Sequence, residues 1–95
     1  MNTIKCMIVD DEPLSRDVLK TYIADHESLE LVAECVDALE AGSYLRSQED
    51  IQLIFLDINM PKISGISFYK GLSNKPDVIF TTAYPNYAVE GFELN

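Results

Sequence analysis

Basic residues are scarce in this chain: 7 Lys and Arg stand against 16 Asp and Glu, for a formal net charge of −9. A surface of that sign repels phosphates, which argues against a nucleic-acid-binding face here. Cysteine and histidine are sparser still, with 2 Cys and 1 His in 95 residues. They do not cluster at ligand spacing, so a Cys/His metal centre is not expected. Cys6 and Cys35 both sit inside apolar runs and read as reduced thiols buried as small hydrophobes. His26 falls at a helix end and reads as a surface residue. No apolar run is long enough to span a bilayer, and the N-terminus lacks a signal-peptide pattern. The expectation is a cytoplasmic protein with no membrane partner. Repeats, low-complexity tracts and linkers are absent, and the length allows one domain at most.

What is present is alternation of two patterns. Ile4 to Val9, broken only by Lys5, reads as a buried strand. Pro13 opens a helix where its missing N–H costs nothing, and Leu14, Val18, Leu19, Tyr22 and Ile23 follow at helical spacing as one apolar face. Leu29 to Val36 is a second strand. Asp37 can cap a helix from Ala38 to about Ser47 whose inner face is Ala38, Ala41, Gly42 and Leu45. Leu53 to Leu56 is the third strand, Ile66 to Leu72 a short helix, and Val78 to Thr81 the fourth strand. A last helix is expected over Asn86 to Leu94, packing through Tyr87, Ala88 and Phe92. Such alternation means βαβ units, hence a parallel sheet with helices on both faces. Ligands bind such sheets at the carboxyl ends of the strands, and Asp10, Asp11, Asp57 and Thr82 are all expected there.

If the first and third strands are neighbours, Asp10, Asp11 and Asp57 share one crevice. Two like charges about 4 Å apart repel by roughly 4 kcal/mol at an effective dielectric near 20, so the cluster must take up protons or bind a cation. Hard carboxylate oxygens without Cys or His suit Mg²⁺, which takes phosphate oxygens as further ligands. A single Asp at a strand end is more simply a cap or turn former, but caps do not require clustering. A carboxylate beside Mg²⁺ can be the nucleophile toward a phosphoryl group. Asp57, mounted on the most apolar strand, is the candidate, and Thr82 could hydrogen-bond a phosphoryl oxygen.

These residues match a family. IVDDEP with Asp10 and Asp11, FLDINMPKISG with Asp57, and IFTTA with Thr82 resemble, in order and spacing, the receiver domain of two-component response regulators. The resemblance covers essentially the whole chain, residues 1–95. It implies a three-layer α/β/α, flavodoxin-like (CheY-like) fold with sheet order 2-1-3-4-5. It further implies that Asp57 accepts a phosphoryl group from a sensor histidine kinase. Asp11 and Asp57 would bind Mg²⁺ through side chains and Asn59 through its backbone carbonyl, with Asp10 acting mostly through water. Thr82 would be the switch residue, and Pro61 and Gly65 would shape the loop after the acceptor. The segment from Thr81 to Asn95, with Tyr84, Tyr87, Ala88 and Phe92, resembles receivers attached to LytTR-type DNA-binding domains, although Gly91 stands where that subgroup more often has Ala.

A full receiver continues with a fifth strand, a Lys at its end and a fifth helix, so the expectation is a C-terminally incomplete domain without the catalytic Lys. Lys62 is no substitute by position. A fourth strand left at the edge would invite pairing with another chain. A homodimer is compatible with that, and DNA would be met only through an effector domain outside this chain. Self-labelling at Asp57 would be the only enzymology. Three rivals remain: a degenerate receiver that binds a partner without phosphorylation, a Mg²⁺-dependent phosphatase and a flavin module. The phosphatase would need an Asp where Asn59 stands, and the flavin module a phosphate loop where the acidic DDEP stretch lies.

Overall fold

The computed structural model describes residues 3–47 and 50–81. The chain runs β1 (Ile4–Val9), α1 (Pro13–Ala24), β2 (Leu29–Cys35), α2 (Ala38–Ser47), β3 (Leu53–Asp57), α3 (Gly65–Lys70) and β4 (Asp77–Thr81). The four strands form one sheet in the order β2-β1-β3-β4, and all three pairings are parallel. This is the flavodoxin-like order over the elements described. The expected helix over Asn86 to Leu94 lies outside the described residues, as do Thr82, Tyr84 and Gly91.

The central strands explain their own composition. β1 and β3 have neighbours on both sides and helices over both faces, so every position except the first one or two is buried. Their side chains alternate between two cores. Met7, Val9, Ile54 and Leu56 join Ala38, Ala41 and Phe68 on one face, while Cys6, Ile8 and Phe55 join Ile23 on the other. Cys6 and Cys35 thus fall in different cores, both free and buried. Burial pushes both thiols up, Cys35 to about 11, which leaves them inert at neutral pH.

α1 and α2 start where the sequence predicts. Pro13 stands in the first turn of α1. At α2, the Asp37 carboxylate accepts from the Glu40 amide at 2.8 Å, and Glu40 reaches back to the Val36 amide at 3.0 Å. Ser64 caps α3 through the Ser67 amide at 3.1 Å, which starts that helix at Gly65, one residue before the expected point.

One expectation is corrected. The apolar face read on α1 is only partly inward: Ile23 is 4% exposed, but Leu14, Val18 and Tyr22 are 76%, 55% and 63% exposed. The stripe is two rows wide. Leu19 and Ile23 lie on the sheet, Arg16 and Lys20 lean toward Glu34 of β2, and Leu14, Val18 and Tyr22 occupy the side away from them. Helical period alone cannot say which row a helix turns inward. On α2 the inner face also includes Tyr44, half-buried over the Val32 carbonyl.

Candidate functional site

The carboxyl ends of β1 and β3 lie side by side, because Val9 pairs with Leu56 and the next residue on each strand is an aspartate. One carboxylate oxygen from each of Asp10, Asp11 and Asp57 lies within 4.8 Å of the others. Asp10 and Asp57 are 3% and 8% exposed, whereas Asp11 faces solvent. The expected meeting of the two acidic strand ends is therefore realised.

The electrostatics follow from that crowding. Burial pushes the Asp57 carboxyl up to about 7, the Asn59 amide opposes the shift, and the Asp10 and Asp11 carboxylates add to it. Asp10 is raised too, first by burial, with the Glu12 amide and the Arg16 guanidinium pulling the other way. Each buried acid therefore has a backbone donor. Asp57 Oδ1 accepts from Asn59 N at 3.1 Å, and Asp10 Oδ1 accepts from Glu12 N at 2.9 Å. Those bonds aim the remaining oxygens. An all-oxygen donor set whose two buried acids are raised first by burial and further by neighbouring carboxylates fits a hard divalent cation, and Mg²⁺ is the cation that such sets suit.

The loop after β3 carries Asn59, Pro61 and Gly65. Asn59 is exposed, directly after Ile58, and touches the site through its backbone. Pro61 is exposed at the loop's outer turn, where Lys62 takes a left-handed φ of 73°. Gly65 is buried against the acceptor strand, and its amide donates to the Ile58 carbonyl at 2.8 Å. Thr82 follows the last described residue, so its side chain carries no argument here.

Two further groups were not singled out from the sequence. Among the described residues the Thr81 hydroxyl is buried without a hydrogen-bond partner, and Thr81 pairs with Asp57 in the β3–β4 ladder. Arg16 donates through Nη1 to the Asp10 carbonyl at 2.9 Å. A cation in the first turn of a helix opposes the helix dipole, and that misplacement was the legible signal for Arg16.

Comparison with known proteins adds to this geometry. Residues 6–95 match the family model of the response regulator receiver domain. The chain belongs to the response regulator receiver family. Among curated relatives of this receiver is the transcriptional regulatory protein BtsR of Escherichia coli strain K12, 40% identical over 93 residues. That alignment takes in 95% of this chain but 38% of BtsR, so the chain spans well under half the length of that relative. Among solved receivers, the response regulatory domain of mrkE from Klebsiella pneumoniae superposes with a TM-score of 0.81 at 35% identity, covering 96% of this chain and 76% of that one. CheY6 of R. sphaeroides, crystallised in complex with the P1 domain of CheA3, gives a TM-score of 0.82 at 26% identity, with 99% and 78% covered. Among the described residues no helix is long and apolar enough to cross a membrane.

Proposed function

We propose that this receiver is a phosphorylation switch in which Asp57 accepts a phosphoryl group from a sensor histidine kinase. One observation carries the reading: Asp57 ends the central apolar strand with its carboxylate within 4.8 Å of two further acids. In the transfer, an Asp57 carboxylate oxygen attacks phosphorus. The P–N bond of the donor phosphohistidine breaks, and its electron pair leaves with the imidazole. An aspartyl phosphate and a free histidine result. Asp11, Asp57 and the Asn59 backbone carbonyl are the groups to hold Mg²⁺, with Asp10 acting through water. When bound, the ion neutralises charge on the transferred phosphoryl oxygens.

The chain's own residues divide the remaining work. β3 gives Asp57 a stiff mount and excludes water from its base. Pro61 and Gly65 fix the loop that carries the Asn59 carbonyl, and Thr82 reports the phosphoryl group to the output surface. The kinase partner is supported by CheY6, a protein of this fold crystallised in complex with the P1 domain of CheA3. A transcriptional output through a LytTR-type domain rests on the pattern of Tyr84, Tyr87, Ala88 and Phe92 and on relatives named as transcriptional regulators. In this reading the protein acts in the cytoplasm, turns over no substrate and is labelled once per cycle.

The test is intact-mass spectrometry after incubation with acetyl phosphate and Mg²⁺. The expected result is a gain of one phosphoryl group that needs Mg²⁺ and vanishes in Asp57→Asn. A folded protein at its full natural length that stays unlabelled would instead be a phosphorylation-independent binding module.

A further inference from the structure

We infer that Arg16 is a positioning residue for the cation site, acting through the peptide that joins Asp10 to Asp11; this rests on the reading of the acidic cluster as a Mg²⁺ site. Asp10 is the first residue past β1, where the ladder ends and its carbonyl leaves the sheet. Three bonds hold it there. Its amide donates to the Cys35 carbonyl at 3.0 Å, its carboxylate accepts from the Glu12 amide at 2.9 Å, and its carbonyl accepts from Arg16 Nη1 at 2.9 Å.

The last of these reaches beyond Asp10. A peptide unit is planar, so fixing the Asp10 oxygen fixes the plane that contains the Asp11 nitrogen and leads to the Asp11 Cα. Asp11 is the exposed acid of the cluster. It faces solvent, so its backbone is the part of it that the fold holds most firmly.

The guanidinium is itself braced. Arg16 Nε donates to Glu34 Oε2 at 2.8 Å, and Lys20 Nζ lies 3.4 Å from Glu34 Oε1. Glu34 belongs to β2, so Arg16 ties the neighbouring strand to the turn bearing two of the three acids. Two donors of one planar fork do this work, one on a carboxylate and one on a carbonyl. A lysine ammonium on its flexible stem cannot hold both in a fixed plane. The position also explains why a cation is tolerated in the first turn of α1, where the helix dipole disfavours it. Its charge is matched by Glu34 and eases the repulsion at Asp10.

The experiment is Mg²⁺ titration calorimetry on the protein at its full natural length, with Mn²⁺ binding by electron paramagnetic resonance as a second readout. Removing a group that orients metal ligands typically weakens metal binding by at least about tenfold. Arg16→Ala should raise the Mg²⁺ dissociation constant by about that factor, while labelling by acetyl phosphate at saturating Mg²⁺ stays near the parent's maximum. Arg16→Lys should recover little of the affinity. If Lys restores parent affinity, charge alone suffices and the positioning role is overturned. Unchanged affinity in a folded Arg16→Ala protein overturns it as well. Should Arg16→Ala not fold, Glu34→Ala removes only the brace, and a rise in the same direction is expected; parent-like binding there again overturns the inference. A parent protein that binds no Mg²⁺ sinks the metal-site reading itself, which separates the two failures.

Discussion

Gly65 and Asp57 approach each other more closely than any side chain at position 65 would permit. A Cβ built on Gly65 would stand 2.9 Å from the Asp57 carbonyl carbon and 3.1 Å from the Ile58 Cα. The φ of Gly65 is not positive, so glycine is needed for space rather than for conformation. The helix α3 packs its first residue against the acceptor strand, and the loop between them is drawn tight over the site.

Gly65→Ala is therefore predicted to destabilise the fold by about 1–3 kcal/mol, the usual cost of overpacking. Because the clash is with the backbone of Asp57, labelling of the folded fraction should slow as well. Urea midpoints and the rate of mass gain with acetyl phosphate measure the two effects separately. A variant as stable and as rapidly labelled as the parent would show that the loop yields freely.

Lys62 carries the strained backbone that Gly65 does not. Its φ of 73° costs a non-glycine residue about 1–2 kcal/mol. Lys62→Gly should leave stability unchanged or raise it by up to about 1 kcal/mol, since glycine's extra chain entropy offsets part of the relief. Labelling should be unaffected, because the Lys62 side chain is exposed and has no part in the site. A large loss of labelling would give that ammonium a role it is not assigned here.

The metal-free protein should lose stability as pH rises. The folded-state value of Asp57, about 7, lies above its ordinary 3.8. Between those values the folded state therefore binds more protons than the unfolded state. The stabilisation is fully present below about pH 4 and lost as pH passes through about 7. One proton sets a maximum slope of about 1.4 kcal/mol per pH unit. Urea denaturation in a chelator across this window should show the decline, and Asp57→Asn should flatten it. Added Mg²⁺ should restore stability at pH 8 by binding only the folded state. A parent with no slope would mean that Asp57 is ionised throughout.

The two apolar rows of α1 should respond differently to truncation. Ile23→Ala empties a buried site between α1 and the sheet and should cost about 2–5 kcal/mol. Val18→Ala, on the exposed row, should change stability by less than about 0.5 kcal/mol in the 95-residue chain. Paired thermal melts on that chain decide it. A comparable loss at both positions would place Val18 in a core.

Most of the site was legible because its logic is local. Apolar runs that end in carboxylates, with Pro61 and Gly65 soon after, mark strand ends and a tight loop in the linear sequence. The strand bounds came within a residue of the expected ones for the same reason. The partners of Arg16 and Thr81 were not legible, although a cation near the start of α1 marked Arg16 as out of place. Arg16 gains its meaning from the Asp10 carbonyl and from Glu34 on another strand, and Thr81 from its pairing with Asp57.

Periodicity, turn chemistry and motif order are properties of neighbouring residues, so the alternation of elements, the acidic strand ends and the receiver-like pattern could all be read along the chain. The remaining features arose from packing in three dimensions, which the fold supplied. The fold set β1 beside β3 so that two acidic ends became one cluster. It turned the Leu19 and Ile23 row of α1 inward rather than the Leu14, Val18 and Tyr22 row, and it raised Asp57 by burial. Each of these depends on which surfaces meet across the sheet, and a one-dimensional pattern does not contain that information.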